Sequence, residues 1–305
     1  MDVSVTDAKG NFVAGLSREQ FHVYDEGAEQ PITNFASVDV PAQILLLMET
    51  SPAVYLIHRE HLEAAYLLLQ GLAPDDEVAL ATYDDALHPL LPFSTDKAGI
   101  AATLGEVRYT LGTARLNLYQ CLGRALDELA PMSGKKAIVL LSTGLDDSSG
   151  GDSSGNPTSR AESKEWEKLT SRLQAKGVVV YPVALGGELR DPASRSAAQK
   201  SPSAAAAQVR SGFALADRAL RDMAQLSGGL AFFPHKTSDF APIYHRISST
   251  LRHQYSLGFV PPARDARAHR IEVRVLDAQG RQLAPGDGRS GYQIQARPAY
   301  VSPSP

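Results

Sequence analysis

Cysteine is almost missing from this chain of 305 residues. The lone thiol, Cys121, excludes an intrachain disulfide and any zinc held by a cysteine cluster. No sign of charge dominates: 30 Lys and Arg residues stand against 34 Asp and Glu, a formal net charge of −4, so no broad positive field draws nucleic acid or an anionic membrane surface. Aromatic residues make up 7% of the chain, with Trp166 the single tryptophan, and none is interleaved among the scattered arginines in the way base stacking requires. No apolar run approaches the ~18 residues of a membrane span. The longest strong stretch, Ile44 to Met48, has the length of a strand. The start lacks a basic segment followed by an apolar one; Met1 leads straight into the alternation of Asp2, Val3 and Val5, so a leader is expected to have been removed or the start to be misassigned.

What is present is a strong apolar pattern of two kinds. Ile44–Met48, Val78–Ala81, Ile138–Leu141 and Val178–Val183 are nearly unbroken apolar runs, as in strands covered on both faces. Between them, helical periodicity recurs in Ile57, Ala64, Leu68 and Leu72, over Ala114–Leu129 and over Lys164–Ala175. Strands alternating with helices predict an α/β domain, a mostly parallel sheet with helices on both faces, over residues 41–251. Leu87 to Leu91, with Pro89 and Pro92, predicts a short edge strand.

The chain ends differ in kind. Ile271, Val273 and Val275 alternate with Glu272 and Arg274, and Phe21 and Val23 begin a similar pattern, both marking antiparallel sheet. An internal echo links them: Val3, Val5, Asp7, Ala8, Gly10, Val13 and Ala14 match Val273, Val275, Asp277, Ala278, Gly280, Leu283 and Ala284 at one offset. Two isolated strands are marginal, so residues 1–40 and 252–305 are expected to combine into one small β-sandwich-like domain that carries the α/β domain as an insertion. Asp146–Ser159 and Gly186–Ser211, rich in small and polar residues, read as long loops.

The densest chemistry follows the first apolar run, at Glu49, Thr50 and Ser51. In an open α/β sheet the ligand site lies at the carboxyl ends of the strands, where clustered side-chain oxygens can hold Mg²⁺. The run ending at Leu141 continues into Ser142, Thr143, Gly144, Leu145 and Asp146 on the same edge, and Thr113 precedes a helix. These motifs resemble the von Willebrand factor type A domain. With the opening Asp7, Gly10, Val13, Gly15 and Leu16 and the closing Gln254, Tyr255, Leu257, Gly258 and Phe259, the whole chain is similar to the bacterial subfamily of such domains named for Acidobacteria.

The resemblance implies a Rossmann-like domain with a metal ion-dependent adhesion site, holding Mg²⁺ or Mn²⁺ through Glu49, Ser51, Thr113 and Asp146. It further implies a non-catalytic module that binds another protein or extracellular macromolecule, in a secreted or cell-envelope setting. The sequence departs from the family pattern: Glu49 stands where the family has aspartate, Ala53 offers no oxygen, and Ser142-Thr143-Gly144 replaces Thr-Asp-Gly, so a carboxylate is lost unless Asp146 bends back. Arg115 offers a metal-free alternative, a guanidinium that pairs with Glu49. A structural envelope protein with a dead metal site is the second reading.

Other motifs carry less. Gly151-Asp152-Ser153-Ser154-Gly155 has the letters of a nucleophile elbow, but the strand ends well before it, so a serine hydrolase using Ser153 is the weakest alternative. His58 and His61 are spaced by three, where two zinc ligands on a helix need four; His61 reads as a helix residue at the edge of the core. Lys135 and Lys136 after Gly134 open a strand rather than a helix, and no Gly-x-Gly-x-x-Gly follows a strand, so no nucleotide cofactor is expected.

Overall fold

The computed structural model describes residues 1–55, 57–111, 115–147, 164–190, 204–277, 279–283 and 291–302. In chain order the elements are β1 (Asp2–Asp7), β2 (Phe21–Asp25), β3 (Ala28–Gln30), β4 (Ile32–Asp39), β5 (Ala42–Glu49), α1 (Pro52–Tyr55), α2 (His58–Gly71), β6 (Glu77–Tyr83), β7 (Leu87–Ser94), α3 (Lys97–Gly105) and α4 (Leu118–Leu129). They continue with β8 (Lys135–Ser142), α5 (Lys164–Ala175), β9 (Val179–Ala184), α6 (Gly187–Arg190), α7 (Ala204–Ser227), α8 (Phe240–Arg252), β10 (His253–Phe259), β11 (Ala268–Val275), β12 (Tyr292–Gln295) and β13 (Ala299–Val301).

The apolar runs become the central sheet, in the order β7-β6-β5-β8-β9. β5 pairs parallel with β6 and β8, and β8 with β9, while β7 closes the edge antiparallel. Pro89 and Pro92 fall on that edge strand, where a missing N–H costs no ladder bond. On the opposite edge Phe232 bridges Val183 in parallel. The period of two sends alternate side chains of β5 to opposite faces. Ile44, Leu46 and Met48 pack with α2, α3 and α8, whereas Leu45 and Leu47 pack with α4, α5 and α7. Two cores, one on each face, explain why the strands carry almost no polar residues.

Both chain ends meet in two four-stranded sheets, β12-β1-β10-β4 and β13-β11-β2-β3, which bury Val3, Val5, Phe21, Val23, Tyr255, Leu257, Ile271 and Val275 between them. The sequence echo is a structural one. After β1, Gly10 N–H donates to Asp7 O at 2.9 Å, Asp7 N–H to Asn11 O at 2.8 Å and Val13 N–H to Val5 O at 2.8 Å; after β11, Gly280 donates to Asp277 at 2.9 Å, Asp277 to Arg281 at 2.8 Å and Leu283 to Val275 at 2.7 Å. Gly10 and Gly280 sit at φ of 85° and 76°, a left-handed turn geometry that an L side chain strains to adopt. The α/β domain is thus carried by a sandwich that both termini build.

One expectation is corrected. The stretch Gly186–Ser211 is not wholly a loop: α6 occupies Gly187–Arg190, and α7 begins at Ala204 and runs to Ser227. Ala204–Ala207 is the best helix-forming composition available, and Ala, Gln and Arg are helix formers whether or not they show an apolar period. Among the described residues no helix is long and apolar enough to cross a membrane.

Candidate functional site

Glu49 ends β5 and is 0% exposed. Its carboxyl group is enclosed by hydrogen-bond donors from three strand ends. Ser51 Oγ donates to Oε1 at 2.6 Å, Thr143 N–H to Oε2 at 2.7 Å, and Thr143 Oγ1 lies 2.9 Å from both oxygens. Ser142 Oγ and Tyr83 OH approach Oε2 at 3.1 and 3.2 Å and share a proton between themselves at 2.7 Å. The parallel register places Tyr83 directly beside Glu49, and the Ser-Thr-Gly turn leaving β8 supplies the rest. Gly144 makes that turn possible: it sits at φ 76°, and a Cβ there would meet Leu220 Cδ1 at 2.8 Å.

Burial and then the charge of Glu49 push the Tyr83 phenol well above its ordinary range, so it stays a neutral donor. The cation serving this cage is Arg190, from α6. Its guanidinium donates to Thr143 O and pairs with Asp217 Oδ1, its Nε donates to Leu185 O at 2.9 Å, and it lies over the Phe213 ring at 5.0 Å. Burial lowers the Arg190 pKa to about 10, with the charge of Glu49 pulling the other way. Arg115, by contrast, is exposed and makes no ion pair with Glu49, which corrects the expectation that it neutralises the carboxylate. Arg190→Ala is accordingly expected to destabilise the protein by about 2–3 kcal/mol in urea titration, the cost of leaving a half-buried charge network without its cation, whereas Arg115→Ala should change nothing beyond error.

The structure thus brings Glu49 and Ser51 into contact. Asp146 is turned to helix α4, its Oδ2 accepting the Tyr119 N–H at 2.8 Å, and Asp147 Oδ2 accepts the Leu116 N–H at 2.7 Å. Asp146 thus takes one of the free N–H groups in the first turn of α4, where the helix dipole favours negative charge, and Asp147 holds the residue before the N-cap Asn117. Thr113 and Ser153 lie outside the described residues. His58 and His61 do not form a metal pair: His58 Nδ1 lies 2.7 Å from Tyr55 O, and His61 is fully buried with Nδ1 2.9 Å from Tyr109 OH.

A hard cation asks for about six oxygen ligands, usually including carboxylates with lone pairs to spare. Glu49 has none free: four donors reach its two oxygens at once, Ser51 Oγ, the Thr143 N–H and hydroxyl, and whichever of Ser142 and Tyr83 does not give its proton to the other. The donor set present does not fit a Mg²⁺ or Mn²⁺ centre. Two other groups bring ligand atoms within 4.8 Å of one another, Asp25 with Glu26 and His269, and Asp84 with Asp85 and His88, close enough to hold an ion. Both are already bonded internally: Asp84 accepts from Thr110 Oγ1 at 2.6 Å and meets His88 Nε2 at 2.8 Å, and Asp25 accepts from Tyr300 OH at 2.8 Å.

Tyr83, Arg190 and Asp217 have no part in the site expected from sequence, which puts Thr143 on the edge without joining it to Glu49. The end of the apolar run in Tyr83, in register with Glu49, was the signal for the first; the others depend on contacts that no spacing announces.

A five-stranded sheet with one antiparallel edge, helices on both faces, and a Glu-Thr-Ser turn leaving its central strand is the arrangement that the resemblance implied. The fold is von Willebrand type A-like. No family model matches the sequence, and no curated protein does. Solved structures similar to this chain include a von Willebrand factor type A protein from Catenulispora acidiphila, 10% identical, covering 99% of this chain and 74% of that one at a TM-score of 0.46. Three N-terminal domains of the type V pili tip protein Mfa5 from Porphyromonas gingivalis are 11% identical, with 99% and 66% covered and a TM-score of 0.47. BatB from Bacteroides thetaiotaomicron is 13% identical, with 68% and 98% covered at 0.44. At these identities the likeness is one of fold.

Proposed function

We propose that this chain is a non-catalytic, adhesion-type protein-binding module whose partner docks on the strand-end edge of the parallel sheet, around Glu49, Ser51, Thr113 and Asp146, without a metal ion. Glu49 and Ser51 act from beneath, as the buried lock that fixes three strand ends; Asp146 stands nearer the surface, at the start of α4. The observation that carries this reading is the rim. Tyr55 and Leu111 are 46% and 69% exposed, large apolar side chains where a lone folded chain gains nothing from them. Their segments are joined: the Thr110 N–H donates to Thr50 O at 2.8 Å, and Tyr55 stacks on His58, which meets Tyr109 edge-on at 6.0 Å. An apolar patch beside polar groups on a rigid platform suits the core of a protein interface. A secreted or cell-envelope location goes with this proposal, from the resemblance of both chain ends.

The test is affinity capture from envelope extract in EDTA, comparing the native chain with Tyr55→Ser/Leu111→Ser. One discrete partner is expected on the native chain, with at least about tenfold less on the double variant, the loss of roughly 1.4 kcal/mol. Equal capture by both would favour a structural protein with an idle edge, and capture that vanishes in EDTA would restore a metal.

A further inference from the structure

At the opposite end of the sheet, where β8 and β9 begin, a cavity of about 440 Å³ lies between the α/β domain and the sandwich. That volume falls within the range of small-molecule sites. Its walls carry Lys135, Lys136 and Arg297 against a single acid, Asp2. None of the three cations has a carboxylate partner among the described residues: Lys135 Nζ donates to Arg252 O at 2.9 Å, Lys136 Nζ to Ala130 O and Met132 O, and the Arg297 guanidinium has no hydrogen bond. The stem of Arg297 crosses Gly228, where a Cβ would meet its Cγ at 3.0 Å, so the side chain is held rather than loose.

Two further polar groups on the same walls are orphaned. Ser4, 2% exposed, and Gln254, 7% exposed, each bury a side-chain oxygen without a partner among the described residues. A buried polar atom left unpaired costs about 1–3 kcal/mol, but both oxygens are closed off from the cavity space, so the cations carry the recognition. Leu251, Phe259 and Ile271 add apolar surface to the wall, beside the polar Ser227, Gln295 and Tyr300. Burial lowers the pKa of Lys135 and of Arg297, with Asp2 opposing it in both and Asp39 as well at Lys135.

We infer that this cavity binds a small amphipathic anion, an apolar body ending in a carboxylate or phosphate that Arg297 and Lys135 receive. A guanidinium takes either head in a two-pronged fashion, which is why an unpaired arginine in a half-apolar cavity selects for such a group. The site is separate from the strand-end edge and does not depend on what that edge binds.

Isothermal titration and melting with octanoate, octyl phosphate and neutral 1-octanol test it on the full chain. At least one anion is expected to bind below about 1 mM and to raise Tm, with octanol at least about tenfold weaker. The better of the two anions identifies the head group. Arg297→Gln should weaken the anion at least about tenfold and Lys135→Gln should weaken it too, while Tyr55→Ser/Leu111→Ser should bind it as the native chain does. If Arg297→Gln does not fold, Lys135→Gln decides. The proposal fails if octanol binds as well as the anions, if neither anion binds in that range, or if both charge variants retain the native affinity.

Discussion

Glu49→Ala is expected to destabilise the protein by about 3–5 kcal/mol, a drop in Tm on the order of 10 °C. The magnitude follows from what is left behind rather than from what is removed. Ser51, Tyr83, Ser142 and Thr143 all aim donors at this one carboxylate, each in a site closed to water, and the truncated variant strands them together. Glu49→Gln keeps the volume but turns an NH₂ group toward donors, so it should recover only a minor part of the loss. Glu49→Asp keeps the charge but shortens the reach by a methylene, and should fall between. The same samples separate a hydrogen-bonded lock from a metal centre. An ion present at 100 times its dissociation constant would stabilise the native chain by about 2.7 kcal/mol. The lock predicts equal melting of the native chain in EDTA and in Mg²⁺ or Mn²⁺. A Tm that rises with the ion and ceases to rise in Glu49→Ala would show that the cage opens to admit one.

What could be read in advance follows from the range of the interactions. β5, β6, β8 and β9 announce themselves because both sheet faces are covered, and a run such as Ile44–Met48 needs no knowledge of its partners. The Asp-Ala-x-Gly turns were legible twice over, since the same letters make the same bonds at both ends of the chain. Glu49 and Ser51 stood out because a strand end is where side-chain oxygens gather, and their contact spans two residues. The cage around them did not, since Thr143 reaches Glu49 across 94 positions and Tyr83 across 34. Arg190 was hidden for another reason. It lies in a stretch of small and polar residues that composition marks as loop, and only the folded chain places it under Thr143. The carboxylate of Asp146 serves the amide of Tyr119, a capping task that the resemblance to a metal site obscured.

His61 should make the protein acid-sensitive in a window where most carboxylates are still ionised. Its ring is 0% exposed on α2, its Nδ1 lies 2.9 Å from Tyr109 OH, and its Nε2 has no partner among the described residues. Burial alone pushes its pKa down to about 3 from 6.5, because a charged imidazole there has neither water nor a carboxylate to meet it. Between those two values the unfolded chain binds a proton that the native chain refuses, so stability falls as pH drops, by about 1.4 kcal/mol per pH unit. At pH 4.5 the loss from this group amounts to roughly 2–3 kcal/mol. His269 has the opposite sign: hydrogen bonding to Asp265, with Asp25 adding to it, raises its pKa, so its contribution is complete below 6.5 and is lost as pH climbs through the raised value. It therefore adds no slope on the acid side; carboxylates held below their ordinary range, such as Asp84, Asp265 and Glu272, begin to add theirs as pH nears 4.5, so comparison with a His61 variant isolates the histidine. His61→Leu should give up about 1 kcal/mol at pH 7 with the bond to Tyr109, yet overtake the native chain by pH 4.5, so that the two urea-derived stability curves cross. Parallel curves through that window, or an imidazole found protonated by NMR at pH 5, would mean that the site hydrates and that His61 is not the group whose protonation unfolds this chain.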